Sequence, residues 1–347
     1  MFQISSPAIA SYFSFIYSKL AASVNPPLLW PLAFILSLIV FAIILAILFS
    51  IFSYIFGWLE RKIIGRAQSR HGPTYVGPFG FLQNLADLIK LMSKEAIMPD
   101  KADKPLFQMI LPSVVALFVL ILVFIPFTNA FVGIDASIGL LAVFVLLSFS
   151  PLLMFLAGWT SGNKFGSISA QRSVIILISY EIPLFLVIAA VAMLSNSLNF
   201  ISIVNAQNPY WYALLMPIGL VVFFVVMLAE LERPPFDLRE ADSELIAGWL
   251  TDASAPYYAL ALFLDYVRMF VGSLLIVLLF FGGWLGPAII PAFVWLMIKV
   301  AIIAIFIIII RVAMVRMRID RVLRLGWEYL VPLAMLNLLI TFIIFVR

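Results

Sequence analysis

Residues 210–229, YWYALLMPIGLVVFFVVMLA, run into ELERPPFDLREADSELIAGWLTDASAP at 230–256 and then into YYALALFLDYVRMFVGSLLIVLLFFG at 257–282. Two apolar runs of membrane-spanning length bracket a loop that, between Glu230 and Asp252, holds seven of the chain's 17 carboxylates and only two of its 21 cations. A hydrocarbon core about 30 Å thick needs roughly 20 apolar residues per helix, and a carboxylate close to it is costly unless solvated or paired. The loop holds Glu230, Glu232, Asp237, Glu240, Asp242, Glu244 and Asp252, the first candidates for proton chemistry. Pro234 and Pro235 bar a helix from simply continuing through them. Beyond that break Asp237, Glu240 and Glu244 fall at spacings of three, four and seven, so a short helix from about 237 stacks them on one face. Like charges so placed repel, which raises the proton affinity of at least one member and suits a site that takes up and releases a proton. The bland alternative is a solvated acidic loop facing the cytoplasm.

Outward from this loop the chain is mostly oil: 65% hydrophobic residues, 11% charged, 32 Phe in 347 positions, and a mean hydropathy of +1.18. That composition belongs to an all-α polytopic membrane protein. With no Cys and one His, His71, there is no thiolate to ligate an iron–sulfur cluster and no His pair for haem, copper or zinc. No bound metal is expected, and any electron carrier belongs to another polypeptide. Nothing points to nucleic acid. No basic segment precedes the first apolar stretch, so a removable signal peptide is not expected. Residues 1–25, with Lys19 as their one cation, are too broken to span and are expected at the membrane interface.

Eight apolar runs read as spans: about 28–57, 106–128, 138–158, 173–195, 210–229, 257–282, 288–311 and 326–346. The first is too long to stand upright. Loops 58–105, 159–172, 230–256 and 312–325, with Arg311 at the rim of the last, hold 17 Lys and Arg, whereas the opposite surface has Lys19 and Arg347 only. The asymmetry makes those loops cytoplasmic and puts both termini on the outer side. There is no internal repeat, and the whole of 1–347 reads as one transmembrane domain. Within the long loop, Phe81, Leu82, Leu85, Leu88, Ile89 and Met92 form a helical apolar stripe, expected to lie along the membrane or against a partner.

Glu181, Asp265, Arg268 and Lys299 are charges that fall well inside spans. Glu181 and Asp265 are expected roughly 12 Å below the cytoplasmic surface, where a carboxyl must be neutral, paired or hydrated. Arg268 follows Asp265 by three residues, the spacing of an intrahelical salt bridge. Lys299, twelfth in its run, is placed near the bilayer midplane, beyond the reach of a side chain of about 6 Å that must cross about 15 Å. It must turn inward, toward a carboxylate reached through water or toward an unwound backbone carbonyl.

The long loop carries Leu59-Glu-Arg-Lys-Ile-Ile-Gly-Arg-Ala-Gln-Ser-Arg-His-Gly-Pro-Thr-Tyr-Val-Gly-Pro-Phe-Gly-Phe-Leu-Gln83, then Ala86-Asp-Leu-Ile-Lys90. With Ser179-Tyr180-Glu181 and the run 230–245, this closely resembles the quinone-site membrane subunit of proton-pumping respiratory complex I. It also resembles that subunit's relatives in F420 dehydrogenases and membrane-bound hydrogenases. The motifs stand in the family's order across 59–268. Departures are Ile175-Ile176, Thr251-Asp252-Ala253-Ser254-Ala255 and Leu264-Asp265-Tyr266, where a Gln and a Tyr hydroxyl of the usual pattern are missing and acids are shortened.

The resemblance implies a subunit of a proton-translocating oxidoreductase, without a redox centre of its own, in a plasma or organellar inner membrane. It implies a chamber, shared with peripheral iron–sulfur subunits, where a quinone or similar lipid-soluble acceptor is reduced, with Arg61, Arg66 and Phe236 as lining candidates. It implies a chain of carboxylates from the acidic loop to Glu181 and Asp265 in the membrane interior, and other membrane subunits and lipids as neighbours. Two alternatives remain: an ion-translocating anchor of a hydrogenase-type complex without quinone, and a stand-alone secondary transporter using Glu181, Asp265 and Lys299.

Overall fold

Apolar runs become helices here, and capping residues or prolines decide where they stop. The computed structural model describes residues 26–239, 242–287 and 289–345, and among them every regular element is helical. In chain order these are α1 (Pro26–Ala67), α2 (Gln83–Met92), α3 (Lys104–Phe124), α4 (Gly139–Thr160), α5 (Lys164–Ser195) and α6 (Phe200–Ala206). They continue as α7 (Pro217–Glu230), α8 (Ala255–Phe280), α9 (Ala292–Ala313), α10 (Ile319–Arg324) and α11 (Val331–Phe345). A π-helical turn, Leu325–Leu330, joins the last two. The interfacial placement expected for residues 1–25 lies outside the described residues, as does Glu240.

Seven helices among the described residues are long and apolar enough to cross a bilayer, with Ile319–Ile344 acting as one rod. The remaining expected span, 210–229, is broken. A single turn, Tyr212–Leu215, ends at Met216, whose φ of −132° and ψ of 65° are not helical, and α7 restarts at Pro217 with only 14 residues. Proline is tolerated there because a helix's first N–H groups have no internal acceptor. One of those orphans, the Gly219 N–H, donates to Asn337 Oδ1 of α11 at 3.0 Å. A Cβ on Gly219 would lie 2.8 Å from the Asn337 amide nitrogen, so the short helix is capped from a neighbour that only glycine lets so close.

The helix around which the others pack is α8. It is apolar on every side, and 78% of its most apolar stretch is buried, against 22% for the final rod. Residues Val267–Phe280 are buried without interruption, as an all-round hydrophobic helix requires. Packed on it are α1, α9, α3 and α2, while α5 gathers α4, α7 and α11 on the other side. Between α1 and α8 lies α2, which exposes Leu85, Leu88, Ile89 and Met92, the expected amphipathic face.

Lys299 corrects one expectation. The helix carrying it begins at Ala292, so it sits about two turns from the helix start rather than at the midplane. Its ammonium donates to the carbonyls of Phe281, Gly283 and Leu285 at 2.7, 2.9 and 2.8 Å. The indoles of Trp211 and Trp295 flank it with ring centres at 5.0 and 5.5 Å. Among the described residues its hydrogen bonds go to carbonyls and not to a carboxylate. Gly282 and Gly283, at φ 67° and 47°, unwind the end of α8 and turn these carbonyls inward, where a cation satisfies them. Gln207 completes the cap, donating to Leu278 O and accepting from the Gly282 N–H. Lys299→Met leaves three buried carbonyls without their donor and should cost on the order of 2–4 kcal/mol. A thermal melt of the purified protein carrying that variant checks this, and an unchanged midpoint would show that the cap is dispensable.

Candidate functional site

The acidic loop does not form the expected stack. Among the described residues of 237–245 the helix is Asp242–Leu245, so Asp237 precedes it instead of sharing a face with Glu244. Each acid is drawn to a different arginine. Asp237 accepts from Arg316, in the α9–α10 connection, at 3.0 Å, and the exposed Glu244 pairs with Arg172 of α5 at 2.6 Å. The repulsion argument fails because it counts only charges near in sequence, and the neutralising cations come from distant helices. The backbone is pinned as well: Ser169 Oγ donates to Arg239 O at 3.0 Å, and Met317 N donates to Pro235 O at 3.0 Å. Gly248, at φ 56°, passes so near that a Cβ would meet Arg239 O at 1.9 Å, leaving no residue but glycine at that position.

Deeper in, two carboxylates are each held by two guanidiniums. Glu232 Oε2 accepts from Arg268 at 2.7 Å and from Arg239. Arg268 also donates to Ser150 Oγ of α4 at 3.0 Å and lies over the Phe118 ring. The intrahelical Asp265–Arg268 bridge that the spacing suggests is therefore not made, because Glu232 takes the guanidinium. Glu60, toward the C-terminal end of α1 and 2% exposed, accepts from Arg233 at 2.9 Å and from Arg311 of α9. Its second oxygen is buried and has no hydrogen-bond partner among the described residues. Glu232, Arg233, Arg239, Asp265 and Arg311 share a polar crevice of about 20 Å³, which is room for one water.

The remaining candidates lie around this centre. Glu230 ends α7, with Oε1 buried and unpartnered among the described residues, and is near enough to Glu181 for their charges to interact. Glu181 faces a cavity of about 240 Å³ between α4 and α5, lined by Ser148, Phe149 and Leu152. Asp252 lines an open depression with Lys94 and Glu95. The backbone of Asp242 lies in the short helix. Among the described residues no group of three or more His, Cys, Asp or Glu is placed to hold a metal ion.

A second cavity, about 180 Å³, opens between α1, α2 and α8. Leu88, Leu91, Leu262 and Phe263 give it apolar walls, and Ser53, Tyr54, Arg61, Asn84, Asp87 and Tyr266 are among the polar groups at its edges. Arg61 is bonded to Asp87 of α2. Burial alone would raise the Asp87 carboxyl, but hydrogen bonds from Arg61 and Gln83 and the charges of Arg61 and Lys90 bring it below its ordinary value. Of the three expected lining residues, Arg61 lines this cavity. Arg66 is exposed in the last turn of α1, and Phe236 is buried edge-on against Tyr180, ring centres 5.2 Å apart.

Glu60, Arg311 and the paired role of Arg233 are members that spacing does not single out, since Glu60 stands among cations that read as cytoplasmic anchors. One signal is present: Glu60 directly follows a membrane-length run, where an acid needs a partner. Glu60→Gln strands two arginines in a buried setting and should destabilise by about 3–5 kcal/mol. Adding Arg311→Met should restore part of that loss, and strictly additive effects in the double-mutant cycle would deny the coupling. Acid should act on α2 separately. A depressed Asp87 contributes stability that is present above the ordinary carboxyl value of 3.8 and lost as pH falls through its lowered value. Amide exchange of α2 should thus quicken only in strong acid; quickening already near neutral pH would deny the Arg61 contact.

The model of the NADH dehydrogenase family matches residues 38–342 of this chain. Among curated relatives, a chain of Dehalococcoides mccartyi, named as an NADH-quinone oxidoreductase subunit of the H type, is 42% identical over 286 residues, covering 82% of this chain and 80% of the relative. One from Geobacillus sp. with the same name is 41% identical over 292 residues, covering 82% and 87%. A Syntrophobacter fumaroxidans chain, also named as an H-type subunit of NADH-quinone oxidoreductase, is 38% identical over 293 residues, covering 82% and 88%. With the helical membrane architecture in place, a family match over residues 38–342 and relatives about 40% identical over 82% of the chain admit one conclusion: the chain belongs to the NADH dehydrogenase family.

Proposed function

We propose that this chain is the membrane subunit in which a complex I-type oxidoreductase receives a lipid-soluble quinone and passes the consequences of its reduction to protons. One observation carries the reading: the apolar α1–α2–α8 cavity shares a wall with the carboxylate–arginine centre. Tyr266 lines the cavity, the Arg233 guanidinium lies 5.6 Å from the centre of the Tyr266 ring, and Arg233 bonds Glu60. An isoprenoid tail suits the Leu and Phe walls, and a headgroup moving past Tyr266 meets Arg233 within one side chain. Peripheral iron–sulfur subunits supply the electrons from outside this chain.

The chain's own part is electrostatic. Charge arriving beside Arg233 competes with Glu60 for its guanidinium, and a carboxylate that loses a cationic partner gains proton affinity. Arg311 is the shared neighbour through which the change reaches Asp265 across the crevice. Glu230 Oε1, buried without a partner, is the atom placed to take a proton next, and Glu181 receives it toward the membrane interior. The transporter reading draws no support from the placement of its residues, since Lys299 is committed to three carbonyls. The hydrogenase-type anchor would not need an apolar cavity at this wall.

Two measurements on the assembled complex test the proposal. Ala259 lines the cavity, and Ala259→Phe should raise the apparent KM for a long-tailed quinone by on the order of tenfold, with less effect on a tailless analogue. Equal effects at every tail length would sink the entry assignment. Glu181→Gln should lower the protons moved per electron in sealed vesicles while electron transfer persists with an uncoupler, and full stoichiometry would remove Glu181 from the path.

A further inference from the structure

The final rod, Ile319–Ile344, is the least buried span, and its outward face changes chemistry in sequence along the axis. Its cytoplasmic end exposes Arg318, Arg321 and Arg324. Trp327 and Tyr329 follow, 47% and 60% exposed, and then Leu333, Leu336 and Leu339 at 41%, 45% and 56%. The connection leading in exposes Met314 and Val315. The inner face is committed: Tyr180 Oη donates to Val322 O at 3.3 Å, and a Cβ on Gly326 would meet Ser179 O at 2.5 Å. The π turn between α10 and α11 adds a residue to the winding and so lets the arginines face outward while this seam against α5 is kept.

Arg316 is engaged by Asp237, but Arg318, Arg321 and Arg324 have no carboxylate partner among the described residues. The acids nearby in sequence, Asp320 and Glu328, are both exposed, and they leave the patch with an excess of cations. Cations, then an indole and a phenol, then hydrocarbon is the order of layers in a membrane leaflet read from headgroup to acyl chain. We propose that this face binds an anionic diacyl phospholipid. The guanidiniums hold the phosphate by forked hydrogen bonds, Trp327 and Tyr329 lie at the ester level, and Leu333, Leu336 and Leu339 receive an acyl chain. A transmembrane helix of another subunit would cover the leucines but bring no anion to the three arginines, so charge complementarity selects the lipid.

The test uses the whole complex, purified in mild detergent, with its retained lipids quantified by mass spectrometry. The combined variant Arg318→Gln, Arg321→Gln, Arg324→Gln should retain about tenfold less anionic phospholipid, with unchanged subunit composition and unchanged phosphatidylcholine. A wild-type complex in phosphatidylcholine vesicles should gain thermal stability when phosphatidylglycerol is included, and the variant should not. Should the triple variant not accumulate in the membrane at all, Arg321→Gln alone should show a smaller deficit in the same direction. Equal anionic lipid in variant and wild type, or loss of a subunit from the variant, would overturn the proposal, the second outcome by identifying the face as a protein contact.

Discussion

A carboxylate in or near a bilayer core survives only in company, and in this protein the company is arginine. Glu60 and Glu232 are each gripped by two guanidiniums, and Asp237 and Glu244 by one each. Guanidinium suits the task because its planar fork serves two acceptors at once and cannot shed its charge. The bonds run between elements far apart in the chain: α1 to the acidic loop, the loop to α8, and α9 back to α1. Stripping Glu60 or Glu232 of its cations leaves a buried anion, which costs more than the pair contributes. The network therefore acts less as a source of stability than as a constraint on where its segments must sit.

The long spans and the amphipathic α2 are legible in the sequence because each depends on local composition, and hydrocarbon thickness sets element length. The break in the fifth span is hidden for the same reason. Hydropathy averages over Met216–Pro217, and the Asn337 amide that makes a break there tolerable lies more than a hundred residues on. The depth of Lys299 is not legible because an apolar run does not show where its helix starts. The chain between α8 and α9 is apolar as well but folds back as an unwound turn, and its carbonyls are what the ammonium serves.

The candidate acids can be picked out in the sequence, but their pairings cannot. Spacing suggests Asp237, Glu240 and Glu244 as one face and Asp265 with Arg268 as one bridge, because helical periodicity is the only geometry a sequence displays directly. Tertiary competitors take the partners instead: Arg316 for Asp237, Arg172 for Glu244, and Glu232 for Arg268. Glu60 shows the reverse failure, since among cations it resembles part of a solvated anchor, and only the approach of α9 with Arg311 makes it central.

The placement of α8 decides how a signal can travel. A helix buried almost throughout, with Phe270 edge-on to Phe49 and nearly parallel to Phe52, cannot translate without repacking α1 and α9 together. Toward its N-terminal end the side chains meet polar groups instead, Asp265, Tyr266 and Arg268 bordering the crevice, the apolar cavity and Glu232 respectively. A change at the cavity wall is thus more cheaply answered by exchanging guanidinium partners than by moving a helix. In the proposed mechanism such an exchange alters proton affinity locally and needs no backbone hinge. On this view the rigid core of α8 and the dense arginine network are one device, the first denying the structure a mechanical response and the second leaving it an electrostatic one.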